Sequence, residues 1–165
     1  MQKWRKQKTE IQKQKLMYQG RLPVEFRNRT KAFAASAIRL FVKLPKNREE
    51  VRVLGKQLLR SGTSVAAQVR EASRARSDEE FVSKLGGTLQ ETDETLLWLE
   101  LLREECGIPP TNTLPIEKEA DELIGDNDPR LLAALDEAIA KADATPGQGN
   151  SGRDVRARLN EWTSK

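Results

Sequence analysis

Apolar residues in this chain recur every three or four positions through three successive stretches, each bounded by proline, glycine or capping residues. That spacing lays them along one side of a helix. Three such stripes in a row can be buried only by packing helix on helix. The first stripe is Phe26, Thr30, Phe33, Ala37, Leu40 and Leu44, between Pro23 and Pro45. The second is Val51, Leu54, Leu58, Gly62, Val65, Val69 and Ala72, with Asn47 and Glu50 at capping-box spacing ahead of it. The third is Phe81, Leu85, Leu89, Thr92, Leu96, Leu99 and Leu102. Ser77-Asp78-Glu79-Glu80 opens it, and Gly107 with Pro109-Pro110 closes it near Cys106.

A shorter fourth helix is expected after Thr113, through Ile116, Ala120, Leu123 and Ile124, stopping near Gly125. Short connections between helices make neighbours antiparallel. The predicted fold is all-α: an antiparallel up-and-down four-helix bundle over 23–125. A basic N-terminal arm (1–22) precedes it, and a helical, partly flexible C-terminal extension (126–165) follows. In that extension Leu131, Leu132, Leu135, Ala138 and Ile139 repeat the helical spacing, and 145–152 (TPGQGNSG) reads as a loop.

Catalytic chemistry finds little to stand on. The chain has no histidine, which removes the commonest general base and metal ligand together. It also lacks a Gly-rich phosphate loop, a Cys-x-x-Cys pair and an acidic calcium loop. The expectation is no enzyme, no catalytic residue, no cofactor and no metal. Glu91, Asp93 and Glu94 read as a solvated face. Glu71 reads as a structural salt-bridge residue, pairing with an arginine on a neighbouring helix or subunit. The lone Cys106 cannot form an internal disulfide, which fits a reducing, cytoplasmic setting. No run approaches the roughly 18 apolar residues of a membrane span.

Charge is distributed unevenly. Residues 1–76 carry 20 Lys/Arg and 5 Asp/Glu, a net of +15, whereas 77–165 carry 9 and 20, a net of −11. Halves of opposite sign point to a polyanionic partner or to pairing between the halves. At about 100° per residue, Arg52, Lys56, Arg60, Arg70 and Arg74 fall within one arc of the second helix, nearly opposite its apolar stripe. They extend over about 33 Å of helix axis. Arg76 follows at the helix end, and Arg27, Arg29, Lys31, Arg39 and Lys43 on the first helix widen the surface. An amphipathic helix always has a charged outer face, so a merely solvated ridge is the competing reading. Against it, only Glu49, Glu50 and Glu71 offset ten cations between Ala32 and Arg76. The arc has no aromatic or Asn/Gln residues for stacking or base reading, so any nucleic-acid contact should be weakly selective and salt-dependent.

Residues 57–72 (QLLRSGTSVAAQVREA) resemble the signature of the bacterial four-helix-bundle family named for proteins encoded in intervening sequences of large-subunit ribosomal RNA genes. The Gln57-Leu58 pair, Arg60, Ser64-Val65, Val69 and Glu71 carry the likeness. Glu80-Phe81, Leu85-Gly86, Glu91 and Glu94-Thr95-Leu96 extend it, over about 25–124 in all. Gln68 departs from the pattern, standing where the family often has Asn. The resemblance implies a four-helix protomer that forms a ring, in known relatives a homopentamer. One relative, the accessory variability determinant of diversity-generating retroelements, binds a reverse transcriptase and nucleic acid through a basic surface. By that likeness Arg60, Arg70 and Arg74 are candidate basic contacts.

The leading functional expectation is therefore a non-enzymatic, oligomeric adaptor that binds RNA or DNA through Arg52, Lys56, Arg60, Arg70, Arg74 and Arg76. A reverse transcriptase is a candidate partner. The alternative is a protein-interaction module without nucleic-acid binding, because 131–140 and 154–159 faintly resemble the toxin-wrapping segment of ParD-like antitoxins.

Overall fold

Four helices follow one another in the chain: α1 Val24–Lys43, α2 Glu49–Ser73, α3 Asp78–Glu104 and α4 Pro110–Ile124. The computed structural model describes residues 20–125, 136, 137, 139 and 140. Contacts run α1 to α2, α2 to α3, α3 to α4 and α4 back to α1, which closes a ring of four. The architecture is an all-α four-helix bundle, with no strand among the described residues.

The stripes read from sequence form most of the core, although Leu54, Leu89 and Leu96 are only half-buried, and on α3 Thr88 and Thr95 are buried instead. Phe33, Val51, Leu58, Val65, Val69, Phe81, Leu99 and Leu102 are essentially inaccessible to solvent. Ser61 and Thr95 meet inside it, hydroxyl to hydroxyl at 2.9 Å, linking α2 to α3. Gly62 faces Ala37 of α1, and a Cβ added there would lie 2.6 Å from the Ala37 methyl. The α1–α2 crossing at this level therefore requires glycine. Ion pairs close the outer seams: Arg29 reaches Glu119 (2.7 Å) and Glu122 (3.1 Å) between α1 and α4, and Arg103 pairs with Glu117 between α3 and α4.

Helix ends show where local signals were followed and where they were not. Ser77 caps α3, its Oγ accepting from the Glu80 amide at 3.1 Å. The Glu80 carboxylate reaches back to the Arg76 amide at 2.9 Å, one residue earlier than the reciprocal bond of a capping box. The expected Asn47 cap does not form. Arg48 takes the cap position in extended conformation, with no side-chain cap. Its guanidinium instead holds Glu50 at 2.7 Å and the Cys106 carbonyl at 2.7 Å, tying the α1–α2 turn to the end of α3. α3 ends at Glu104, two residues before Cys106, and Gly107 takes φ +66° to reverse the chain.

α4 starts at Pro110 rather than after Thr113. Pro110, read from sequence as a stop for the third helix, is instead the first residue of the fourth, where a missing amide costs nothing. Thr113 is fully buried within it. At the other end of the bundle, Leu22 is buried and the Arg21 amide bonds the Ser73 carbonyl at 2.8 Å, so the last residues of the predicted arm pack onto the bundle. Arg21 also pairs with Asp78 and stacks over Phe81, 4.6 Å from the ring centre. Ile139 joins the same apolar core. Apart from 136, 137 and 140, the rest of the predicted arm and extension lies outside the described residues.

Candidate nucleic-acid interface

α2 packs between α1 and α3, so its outer face forms a floor with a wall on either side. At the end of the bundle where α1 begins and α2 finishes, these walls rise enough to make a cleft of about 640 Å³. Ala66, Ala67, Val69, Arg70, Glu71 and Arg74 come from α2. Arg27 and Lys31 come from α1, and Glu80 and Lys84 from α3. The cations arrive as neighbours four residues apart, Arg27 with Lys31 and Arg70 with Arg74, which places each pair on one helical face. Ala66 and Ala67 leave the floor low between them.

The predicted ridge divides in two. Arg52, Lys56, Arg60, Arg70 and Arg74 are all exposed on α2. Arg52, however, is paired with Glu49 of its own helix at 2.5 Å, and that hydrogen bonding holds the Glu49 carboxyl below the usual range. Arg60 reaches Glu94 of α3 at 3.2 Å. Arg76 sits 3.6 Å from Glu80, whose carboxyl is held low first by the Arg76 amide. Lys56, Arg70 and Arg74 make no ion pair with any described residue. The acidic half of the chain thus neutralises part of the basic surface, and the uncompensated charge concentrates in the cleft around Arg70 and Arg74.

Glu71 pairs with Lys84 of α3 at 2.5 Å, so its partner is a lysine rather than the expected arginine. Lys84 itself was not singled out from sequence, and Arg27 and Lys31 appeared only as outlying cations. The four-residue spacings Arg27/Lys31, Arg70/Arg74 and Glu80/Lys84 were the available signal. Further along the α2–α3 seam, burial and then the neighbouring Glu94 push the Glu91 carboxyl up, and its Oε2 is buried without a hydrogen bond. Cys106 is a buried free thiol. Among the described residues no cluster of His, Cys, Asp or Glu could hold a metal ion, and no helix is long and apolar enough to cross a membrane.

The fold and this surface define a small helical-bundle protein with a basic cleft on the outer face of its second helix. Residues 24–125 match the model of the 23S rRNA-intervening sequence protein family, and the chain belongs to that family. A crystal structure from Bacteroides thetaiotaomicron, of a protein of unknown function from the S23 ribosomal protein family, is similar. The two are 33% identical with a TM-score of 0.56, over 66% of this chain and 97% of that one. A comparison with curated protein sequences returns no match.

Proposed function

We propose that this chain is a non-enzymatic adaptor that assembles with copies of itself and holds nucleic acid against the basic outer face of α2. The observation that carries the proposal is the position of Arg70 and Arg74. Both are exposed and without ion pairs among the described residues, in a cleft that also collects Arg27, Lys31 and Lys84. Several exposed cations side by side repel one another and draw an anion to them, and a phosphate backbone supplies anions in series. Among the described residues no aromatic lines the cleft, so backbone contact rather than base recognition is expected.

Assembly is supported by α3, which carries apolar residues beyond its buried stripe. Leu97 is 46% exposed, and Leu89, Leu96, Trp98 and Leu101 are only half-buried. By the family likeness the assembly is a ring, with five copies as the expectation. Light scattering at micromolar concentration should then give a mass several times that of one chain, and a monomer would contradict it.

The nucleic-acid contact is tested by titrating RNA and DNA with the parent and with Arg70→Glu/Arg74→Glu. The doubly reversed variant should lose binding while keeping its helical signal. Equal affinity for parent and variant at low salt would return the cleft to a solvated surface. The alternative of an antitoxin-like segment rests on residues mostly outside those described. Ile139, its one described core-type residue, is packed on this chain's own core.

A further inference from the structure

We infer that the cleft seats a terminal phosphate group, bearing two or more negative charges, rather than the internal phosphodiesters of a strand passing across it; this rests on the anion-binding reading given above. The argument begins with shape. A passing strand is met by cations set out along a track, whereas Arg27, Lys31, Arg70, Arg74 and Lys84 converge from three helices on one concavity. Its volume of about 640 Å³ lies within the range of small-ligand pockets, enough for a nucleotide-sized end group.

Charge sharpens the point. Lys84 pairs with Glu71, and Glu80 with Arg76, which leaves Lys31, Arg70 and Arg74 as three lining cations with no ion pair to any described residue. The phosphodiesters of a passing strand bring single charges spaced along the backbone rather than gathered at one point. A terminal monophosphate carries nearly two charges and an oligophosphate end more, so either balances the cleft better. Arg70 and Arg74 stand one turn apart on the floor, where planar guanidinium forks can take two oxygens each. The low Ala66-Ala67 surface beside them leaves room for the bulk of the phosphate. With no aromatic among the described residues of its lining, the cleft recognises the terminal charge and not the base.

The same chemistry could come from a strand end or from a free nucleotide. The test uses the full chain and one short RNA sequence carrying a 5′-hydroxyl, a 5′-monophosphate or a 5′-triphosphate, read by fluorescence anisotropy. Added charge-assisted hydrogen bonds predict roughly tenfold or greater preference for the triphosphate end over the hydroxyl end. In Ala67→Met a longer, uncharged side chain occupies the floor, and the preference should fall to about one. Ala67 is exposed, so the variant should retain its helical circular dichroism. Arg70→Gln provides a second variant with the same expected loss, and Lys118→Ala, on the outside of α4, should keep the preference.

A free nucleoside triphosphate as competitor separates the sources. Displacement assigns a nucleotide, and failure to displace assigns the strand end; either accords with the cleft. Three ends bound equally, with strong salt dependence, would overturn the terminal-phosphate inference and leave the polyanion reading standing. No binding of any RNA would overturn both. A preference that survives in both Ala67→Met and Arg70→Gln would place the phosphate elsewhere.

Discussion

Lys84 of α3 reaches across the helix seam to Glu71 of α2 at 2.5 Å, beside Arg70 and Arg74, which face the same cleft with no such partner. The pair restrains one wall of the cleft and removes one positive charge from its lining. Both side chains remain substantially solvated, so the bridge contributes about 1 kcal/mol or less to stability. Glu71→Gln should therefore barely change the unfolding midpoint, yet tighten nucleic-acid binding by releasing Lys84. Urea titration and an anisotropy titration on the same variant check both halves; weaker binding would show that Glu71 orders the cleft instead.

Gly62 and Ala37 test the packing. Gly62→Ala adds a methyl 2.6 Å from the Ala37 Cβ, and neither atom can rotate away. Overpacking of this kind costs roughly 1–3 kcal/mol, partly offset by about 1 kcal/mol of better helix propensity. The net expectation is destabilisation by urea, recovered in part when Ala37→Gly is added. Gly55→Ala meets the Leu44 Cδ1 at 2.7 Å, the end of a flexible side chain, and should be better tolerated.

Ser77 separates stability from binding. Its Oγ satisfies the Glu80 amide at the start of α3, and Ser77→Ala should cost about 1 kcal/mol. Nucleic-acid affinity of the folded variant should be unchanged, because Ser77 is not among the residues lining the cleft.

Glu91 sets a pH dependence. Its carboxyl is pushed up by burial and by Glu94, so the folded chain holds that proton more tightly than the unfolded chain does. Stability from this group is therefore intact below the ordinary carboxylate range and declines as pH rises through that range and the raised value. Glu91→Gln should be more stable than the parent at pH 7, with the difference vanishing below about pH 4. Thermal melts of both proteins across that interval provide the measurement. A constant difference would mean that the charge is not the cause.

Much of the bundle was readable from periodicity, and the reasons are local. Phe26 through Leu44, Val51 through Ala72 and Phe81 through Leu102 carry their faces in their spacing, and Ser77 announces a helix start by hydrogen bonding to its own neighbours. Asn47 and Pro110 misled because their roles depend on what lies further along the chain. Arg48 is drawn to the Cys106 carbonyl at the far end of α3, and Pro110 opens a helix that packs back on that one. The cleft was harder to see for the same reason. Arg70 and Arg74 were visible as one face of a helix, but Lys84 and the walls belong to helices whose positions the spacing of α2 does not contain. The ion pairs that silence Arg52, Arg60 and Arg76 also combine local and distant partners, Glu49 and Glu80 nearby and Glu94 on the next helix.

The most direct test is the slope of log affinity against log salt for RNA, compared between the parent and Arg70→Ala/Arg74→Ala. Each lost phosphate contact lowers the slope by about 0.7 on single strands. The pair should lower it by roughly 1.4, with weaker binding at every salt concentration. The same slope and affinity in both proteins would contradict the account, leaving those arginines as ordinary solvated surface.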